Sequence, residues 1–249
     1  MKILIYDIET SPSMAYIWSC WQNNIPINMI HESGELLCWC AKWYGEKNVY
    51  SDTVWKSGIE GCVKSLHALI DEADAVVAHN GENFDQKVMN TMFIKYGLDP
   101  AAPAKMIDTL KVAKNRFRFL SNKLDYIAQY FGFGQKNKTD FDLWVRVLNG
   151  EKKAQREMLD YNVQDVLLLE KVYEKFIPWI KQHPNHALYQ DDAETPVCTN
   201  CGSTHVHRKG FSYTKVGVYQ RYKCQDCGTP LRGRYTQVKK NENVLTQEI

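Results

Sequence analysis

Two Cys-x-x-Cys pairs near the C-terminus constrain this chain more than any other feature of its sequence. Cys198 and Cys201 form the first pair, Cys224 and Cys227 form the second, and a glycine follows each pair. Four thiolates bind Zn²⁺ tetrahedrally in closed structural sites, and a segment this short has too small a core to fold without the metal. The sequence therefore predicts one structural Zn²⁺ ion held by these four cysteines.

The segment between the two pairs contains the run GFSYTKVGVYQRYKC, in which apolar or aromatic residues alternate with polar ones, as they do in β-hairpins. The hairpin and the cysteines together resemble a zinc ribbon. QRYKCQDCG is similar to the ribbons appended to transposition and replication proteins. We therefore predict that the chain ends in a small ribbon module.

The predicted ribbon differs sharply in charge from the rest of the chain. Between Thr195 and Lys240 nine cations accompany the single acid Asp226, a net charge of +8, so the other residues carry −6 of the chain's net +2. A basic module with interleaved tyrosines is typical of proteins that bind nucleic acid through phosphates and stacked bases. We expect Arg221 and Tyr222 to make such contacts. The alternative is a zinc-stabilised module that docks on a protein.

Length and composition indicate a globular protein that does not cross a membrane. The 249 residues can form one larger domain and a small one, and the apolar stretches are too short to span a bilayer. Asp7 interrupts the first apolar run before a signal-peptide core could form, so we predict a cytoplasmic location. In that compartment the four other cysteines should be reduced, semi-buried hydrophobic residues. They are Cys20, Cys38, Cys40 and Cys62.

The apolar pattern predicts strands first, strands mixed with helices next, and helices last, which is typical of a layered α/β domain. Predicted strands cover 3–6, 35–44, 48–54, 75–78 and 106–107, and predicted helices cover 59–73, 84–96 and most of 109–180, with breaks at 132–134 and 149–150. The expected domain order is a main domain over 1–182, a linker over 183–196, the zinc ribbon over 197–240 and a polar tail over 241–249.

Asp7 and Glu9 follow the first apolar run, MKILIY, two positions apart. Side chains alternate across a strand, so both carboxylates should leave one face while Ile8 turns toward the core. Two carboxylates in one small volume favour a hard cation such as Mg²⁺ or Mn²⁺. The alternative is that either acid caps a turn before Pro12.

Three further residues could join such a site from separate elements. Asp85 follows a buried strand and should lie in the first turn of a helix, where the helix dipole alone could explain an acid. Tyr161 and Asp165 are four residues apart in a helical stretch and so share one face, although both could face solvent.

The order of these motifs, rather than any one of them, resembles a known group of enzymes. Asp-x-Glu on strand one, Asn80 to Asp85 in the middle and Tyr-x-x-x-Asp on a late helix are similar to the three motifs of the DEDD superfamily of exonucleases, Tyr subclass. IDTLKVAK, SNKLDYIAQYFG and REMLDYNVQDVLLLEKVY resemble the proofreading modules of family B DNA polymerases. The resemblance, over roughly residues 1–181, implies a ribonuclease H-like fold, a mixed β-sheet flanked by helices.

The same resemblance implies roles for the acids. Asp7 would bridge two Mg²⁺ or Mn²⁺ ions, Glu9 and Asp165 would complete the first site, and Asp85 would serve the second ion through water. Tyr161 would orient the attacking water or help to deprotonate it. The implied reaction is stepwise 3′–5′ hydrolysis of DNA that releases nucleoside 5′-monophosphates.

Other residues are candidates for holding the nucleic acid. Asn80 could bond the substrate or its own loop, and Phe84 could wedge against terminal bases or belong to the core as the first apolar residue of a helix. A run of cations interleaved with Phe117 and Phe119 either binds phosphates along a single strand or forms a solvated basic face. Those cations are Lys111, Lys114, Arg116 and Arg118, and Lys136 and Lys138 allow the same two interpretations. For Asp108 we expect a helix cap.

The sequence thus favours a metal-dependent 3′–5′ exonuclease that acts on single-stranded DNA or 3′ ends, with replication or recombination proteins as expected partners. The alternatives are an RNA exonuclease, which would differ by a contact to the 2′ hydroxyl, and an inactive DNA-binding adaptor that works through the ribbon. Clustered acids would repel phosphate without a metal, so they argue against the adaptor.

Overall fold

The computed structural model describes residues 1–21, 24–102, 104–135, 140–190, 195–239 and 245. It divides into two compact units, one formed by residues 2–173 and the other by Met1 together with residues 174–249. Lys136, Lys138, residues 191–194 of the predicted linker and most of the predicted tail lie outside the described residues. Within the described part of the chain, no helix has the length and apolar character that a membrane crossing requires.

The larger unit is built on a mixed five-stranded sheet in the order β5-β4-β1-β6-β7. β4 pairs antiparallel with β1 and β5, whereas β6 pairs parallel with β1 and β7. The strands are β1 (Ile3–Thr10), β4 (Leu36–Trp43), β5 (Val49–Thr53), β6 (Ala75–Ala78) and β7 (Lys105–Asp108), and a separate short pair consists of β2 (Met14–Ala15) and β3 (Ile30–Glu32).

Six α-helices accompany this sheet among the residues that the structure describes. They are α1 (Val54–Glu72), α2 (Asp85–Lys95), α3 (Thr109–Arg116), α4 (Leu124–Tyr130), α5 (Phe141–Leu148) and α6 (Lys152–Phe176). One core cluster packs α1 and α2 against Leu4, Tyr6 and Ile8 of β1. A second cluster packs α5 and α6 against Leu37 and Cys38 of β4.

Side chains point alternately to the two faces of β1, and this alternation fixes the direction of Asp7 and Glu9. Leu4, Tyr6 and Ile8 belong to the core cluster beside α1 and α2. Asp7 and Glu9 are half-buried and leave the opposite face, as their spacing predicts. β1 continues to Thr10 rather than ending at Tyr6, because β4 pairs with it beyond that point. The acids therefore sit within a strand and share its rigidity.

Several elements differ from their prediction. α1 begins at Val54 rather than at residue 59, because two helical segments join across a kink at Gly58, whose φ is +69°. The predicted helical region 109–180 also breaks between α3 and α4, where Phe117 is extended. Cys38, Cys40 and Cys62 are buried, but Cys20 is exposed because it lies between β2 and β3, outside the main sheet.

The smaller unit holds a three-stranded antiparallel sheet in the order β10-β9-β8. Its strands are β8 (Val206–Tyr213), β9 (Val218–Cys224) and β10 (Pro230–Arg232). The amide of Asn200 donates to the carbonyls of Ile177 and Ile180, at 2.8 and 2.9 Å. A 3₁₀ helix, His186–Tyr189, occupies part of the predicted linker, and its first amide donates to the Thr199 carbonyl. These contacts explain why the smaller unit begins at residue 174, before the predicted end of the main domain at residue 182.

Candidate active site and zinc centre

Three carboxylates from two elements converge beside the sheet. Asp7 and Glu9 come from β1 and Asp165 comes from α6, and one oxygen of each lies within 4.8 Å of the others. Asp165 is buried, whereas the two strand acids are half-buried. Oxygen donors at this separation fit a hard divalent cation such as Mg²⁺ or Mn²⁺ better than a softer metal. The sequence places two of these acids together, and the packing of α6 adds the third.

Tyr161 lies one helical turn before Asp165 on α6. Its ring meets the edge of the Trp144 ring, with centroids 6.5 Å apart and planes at 73°. Trp144 is itself held by a hydrogen bond of 3.1 Å from its indole N–H to the Thr10 carbonyl, at the end of β1. The phenol is thereby supported by the strand that carries Asp7 and Glu9.

A cavity of about 580 Å³ opens beside these residues. Its lining includes Asp7 and Tyr161 together with Lys114 of α3 and Lys123. Acids that could hold cations and lysines that could hold phosphates therefore share one cleft. This arrangement is suited to a phosphodiester substrate. The acids could hold the metal ions that such a substrate binds, and the lysines could bind its phosphates directly.

Asn162 is a site residue that the sequence did not reveal. Its side-chain amide donates a hydrogen bond of 2.6 Å to Oδ2 of Asp7, and the residue is fully buried. It follows Tyr161 directly, so α6 supplies Tyr161, Asn162 and Asp165 to the same region. The bond holds the carboxylate of Asp7 in a defined orientation. An asparagine inside a helix carries no sequence signal for such a contact.

Asp85 is almost completely buried at the first turn of α2, where the sequence places it. Burial raises the pKa of its carboxyl from 3.8 to about 7, and the nearby charge of Asp108 acts in the same direction. The backbone N–H groups of Asp85 itself and of Ile8 oppose that shift. Asp85 is thus hydrogen-bonded to the backbone of Ile8, which lies between Asp7 and Glu9 on β1. It does not belong to the cluster of three carboxylates. Its service to a second ion stays a prediction.

This burial predicts that Asp85→Asn stabilises the metal-free protein. The folded carboxyl loses its proton near pH 7, whereas the unfolded one loses it near 3.8, so native stability falls as the pH rises between these values. Asparagine avoids the buried charge, and one oxygen of Asp85 has no hydrogen-bond partner among the described residues. We expect a gain of roughly 1–3 kcal/mol at pH 8, or a Tm higher by roughly 3–8 °C.

The measurement is thermal unfolding in a chelator at several pH values between 4 and 8. The gain in Tm should shrink as the pH falls below 7, because the native carboxyl is then neutral. Asp99→Asn provides a matched control, since Asp99 is an exposed acid that follows the same helix. A gain in Tm that does not change with pH, or a lower Tm of Asp85→Asn at pH 8, would contradict the raised pKa of Asp85.

Asp108 caps α3, which confirms the expectation from the sequence. Its carboxylate accepts hydrogen bonds from the backbone N–H groups of Leu110 and Lys111. The same carboxylate accepts one of 3.0 Å from the backbone N–H of Asn80, whose φ is +72°. Asp108 therefore holds the loop before α2 in a conformation that few non-glycine residues adopt. Asn80 contributes here through its backbone, and its contact with substrate remains a prediction.

The other predicted nucleic-acid contacts lie in different surroundings. Phe84 is 41% exposed and precedes α2, so of its two predicted alternatives the core position is wrong; the helix begins one residue later than predicted. Lys111 forms an exposed ion pair with Glu82, whereas Lys114 lines the cavity. Phe119 packs against a cluster of three aromatic rings, which are Phe117, Tyr130 and Phe131. Arg116 and Arg118 are exposed.

The four predicted zinc ligands converge in the smaller unit. All four Sγ atoms lie within 4.8 Å of one another, and the pairs Cys198–Cys227 and Cys201–Cys224 are each 3.6 Å apart. Tetrahedral Zn²⁺ with bonds of about 2.3 Å separates its sulfurs by roughly 3.8 Å, so the cluster fits zinc. The geometry agrees with the spacing in the sequence.

The backbone around the cysteines also favours thiolates. Gly202 and Gly228 have φ of +75° and +82°, which lets the chain turn back after each pair. Burial raises the pKa of the Cys198 and Cys201 thiols, although backbone N–H groups oppose that shift. Burial also acts to raise the pKa of the Cys224 thiol, but N–H groups of Cys227 and Asp226 and the neighbouring cysteines lower it to about 7. A thiol that ionises near neutral pH is a ready metal ligand.

Comparison with known proteins identifies the larger unit. The family model described as RNase_H superfamily matches residues 37–177, which is more than half of the chain. The chain belongs to the RNase H superfamily, and the predicted ribonuclease H-like sheet with flanking helices is confirmed. Membership in this superfamily and the acidic cluster together support a nuclease.

A solved structure agrees with this assignment. The family B DNA polymerase from the hyperthermophilic archaeon Pyrobaculum calidifontis is similar to this chain with a TM-score of 0.53 and 14% sequence identity. The match covers 71% of this chain and 24% of the polymerase, so the chain spans about a quarter of that enzyme's length. At this identity the likeness shows a shared fold. No curated protein matches the chain.

Proposed function

We propose that this protein is a metal-dependent 3′–5′ exonuclease of the DEDD type, Tyr subclass, that degrades DNA and releases nucleoside 5′-monophosphates. The observation that carries the proposal is the convergence of Asp7, Glu9 and Asp165 in a fold of the RNase H superfamily. One carboxylate oxygen of each residue lies within 4.8 Å of the others. Tyr161 beside Asp165 supports the Tyr subclass. We place the protein in the cytoplasm as part of the same proposal.

The residues of the cleft have distinct tasks in this proposal. Asp7, Glu9 and Asp165 would hold the divalent cations, and Asp85 would serve the second of them through water. When bound, the two ions make the attacking water more acidic and stabilise the charge on the phosphate and on the leaving oxygen. The amide of Asn162 keeps Asp7 in the orientation that ligation needs. Trp144 keeps the Tyr161 ring in place.

The proposed reaction is an in-line hydrolysis of the terminal phosphodiester bond. Tyr161 orients a water molecule, whose oxygen bonds to phosphorus while the bond from phosphorus to the 3′ oxygen of the preceding nucleotide breaks. The water gives up one proton to solvent and the leaving 3′ oxygen gains one. Lys114 on the cavity wall is positioned to bind a phosphate of the retained strand. The products are a nucleoside 5′-monophosphate and a strand one nucleotide shorter.

The polarity of degradation tests this proposal. The full chain is incubated with Mg²⁺ or Mn²⁺ and single-stranded DNA labelled at the 5′ end in one sample and at the 3′ end in another. We expect a ladder of shortening strands from the 5′-labelled DNA and early release of a labelled mononucleotide from the 3′-labelled DNA. Internal fragments from both samples would indicate an endonuclease and contradict the proposal. The same sequence made of RNA shows which sugar the enzyme prefers.

A further inference from the structure

The β-sheet of the zinc module has two chemically different faces. Residues that pair directly across antiparallel strands point to the same side, and neighbours along a strand point to opposite sides. Arg221 pairs with Arg232, and Lys223 pairs with His207. These four residues therefore share one face with Tyr219, which is two positions before Arg221. We call this set (His207, Tyr219, Arg221, Lys223 and Arg232) the cationic face.

The opposite face contains the metal ligand Cys224 and Tyr222, which lies between Arg221 and Lys223 in sequence. Arg208 pairs with Tyr222 and belongs to the same opposite face. Burial agrees with this division, because Arg221 and Lys223 are exposed, Tyr222 is half-buried and Cys224 is buried. Arg221 and Tyr222, which the sequence suggests as joint contacts, therefore point in opposite directions.

Within the part of the chain that the structure describes, no acid forms an ion pair with the arginines or the lysine of the cationic face. Among the described residues, no ion pair involves Arg221, Lys223 or Arg232. Asp226, the single acid between residues 195 and 240, accepts hydrogen bonds from the Ser203 hydroxyl and from the His205 ring. Exposed positive charge without a local counterion attracts polyanions.

Contacts within the face hold its charges at defined positions. The Arg232 guanidinium lies 4.3 Å from the centroid of the Tyr219 ring, which is a cation–π contact. Arg221 and Lys223 stand two residues apart on β9, a separation of roughly 6.6 Å along the strand. This separation is comparable to that of successive phosphates in an extended nucleic-acid strand. Since Arg232 covers one side of the Tyr219 ring, the face offers charge rather than open rings for stacking.

From this arrangement we infer that the cationic face binds the sugar–phosphate backbone of the nucleic-acid strand whose end enters the active site. The inference rests on the proposed nuclease function and adds to it a specific binding surface. Binding by this face is independent of base sequence and depends strongly on salt, because its contacts are to phosphates. Tyr222 lies on the opposite face, together with the zinc ligand Cys224, and does not contact the sugar–phosphate backbone.

The test compares Arg221→Glu with Arg208→Glu in the full zinc-loaded chain. Both variants change one exposed arginine to glutamate on neighbouring strands, so net charge changes equally and only the face differs. Asp7→Asn is added to both to prevent hydrolysis, and binding of a labelled single-stranded oligonucleotide is followed by fluorescence anisotropy over a range of salt. We expect Arg221→Glu to weaken binding about tenfold and to reduce the slope of log Kd against log salt by about 0.7.

Arg208→Glu should leave both quantities close to those of the parent chain, and Arg221→Lys should retain most of the affinity. Equal losses in the two glutamate variants would show a diffuse field instead of a face, and a loss confined to Arg208→Glu would move the contact to the opposite face. Unchanged binding in both would mean that the ribbon contacts something else, such as an acidic protein. Each of these results overturns the inference. Zinc content shows whether the variants are folded.

A separate readout distinguishes this inference from the proposed function. With Asp7 intact, Arg208→Glu, which lies outside the cationic face, should hydrolyse a labelled oligonucleotide as fast as the native chain does. Absence of hydrolysis in the native chain would refute the nuclease proposal and leave the binding result as it stands. Normal hydrolysis with unchanged binding would refute only the cationic face.

Discussion

Asp7→Asn is expected to lower the rate of DNA hydrolysis by roughly 10⁴-fold, because a loss of several kcal/mol of transition-state stabilisation costs a factor of ten for each 1.36 kcal/mol. Asp7 supplies one of the three clustered oxygens, and its carboxylate accepts a hydrogen bond of 2.6 Å from the side-chain amide of Asn162. The substitution keeps the size of the side chain and removes its charge. The measurement is the single-turnover rate on 5′-labelled DNA with saturating Mg²⁺ or Mn²⁺.

Asp160→Asn is the matched control for this variant. Asp160 is an exposed acid on α6 next to Tyr161, and its carboxylate is not part of the cluster. It should therefore hydrolyse DNA at nearly the native rate. A metal titration followed by thermal unfolding gives a readout independent of activity, since Mg²⁺ or Mn²⁺ should raise the Tm of the native chain and of Asp160→Asn much more than that of Asp7→Asn. Hydrolysis by Asp7→Asn at the native rate would place the active site elsewhere.

The acids of the site could be found in the sequence because local geometry places them. Alternation along a strand puts Asp7 and Glu9 on one face, and the helical repeat puts Tyr161 and Asp165 on another. That these two faces meet depends on how α6 packs against the sheet, which no local pattern encodes. The motif resemblance supplied this tertiary information. Asn162 was missed because its role exists only in the packed structure.

The limits of prediction elsewhere have similar physical causes. The strand 75–78 was predicted with its observed ends, because a short apolar run between polar residues has no competing interpretation. The β2–β3 pair was missed because so few residues produce no periodic signal. Phe84 was assigned to a helix that begins one residue later, and that shift leaves its ring exposed. Arg221 and Tyr222 were grouped by their positions in the sequence, although strand alternation separates neighbours.

Loss of zinc is expected to unfold the smaller unit and to leave the larger one folded. Structural Zn²⁺ contributes about 10–16 kcal/mol in zinc-finger peptides, far more than a core of this size can supply. Cys198→Ser removes one of the four ligands from a fully buried position. Among the described residues, the two core clusters that pack on the five-stranded sheet contain no residue of the ribbon. We therefore expect zinc content to fall and the ribbon resonances in NMR spectra to collapse into the unfolded range.

Cys20→Ser tests whether this effect belongs to the metal site, because Cys20 is an exposed thiol outside the cluster and its loss should change neither zinc content nor folding. In Cys198→Ser, hydrolysis of a short oligonucleotide should persist because the acid cluster lies in residues 2–173, whereas binding of longer strands should weaken with the loss of the cationic face. A ribbon that stays folded without zinc would show that its small apolar core and hydrogen bonds suffice. That result would contradict the zinc-dependent fold predicted from the cysteine spacing.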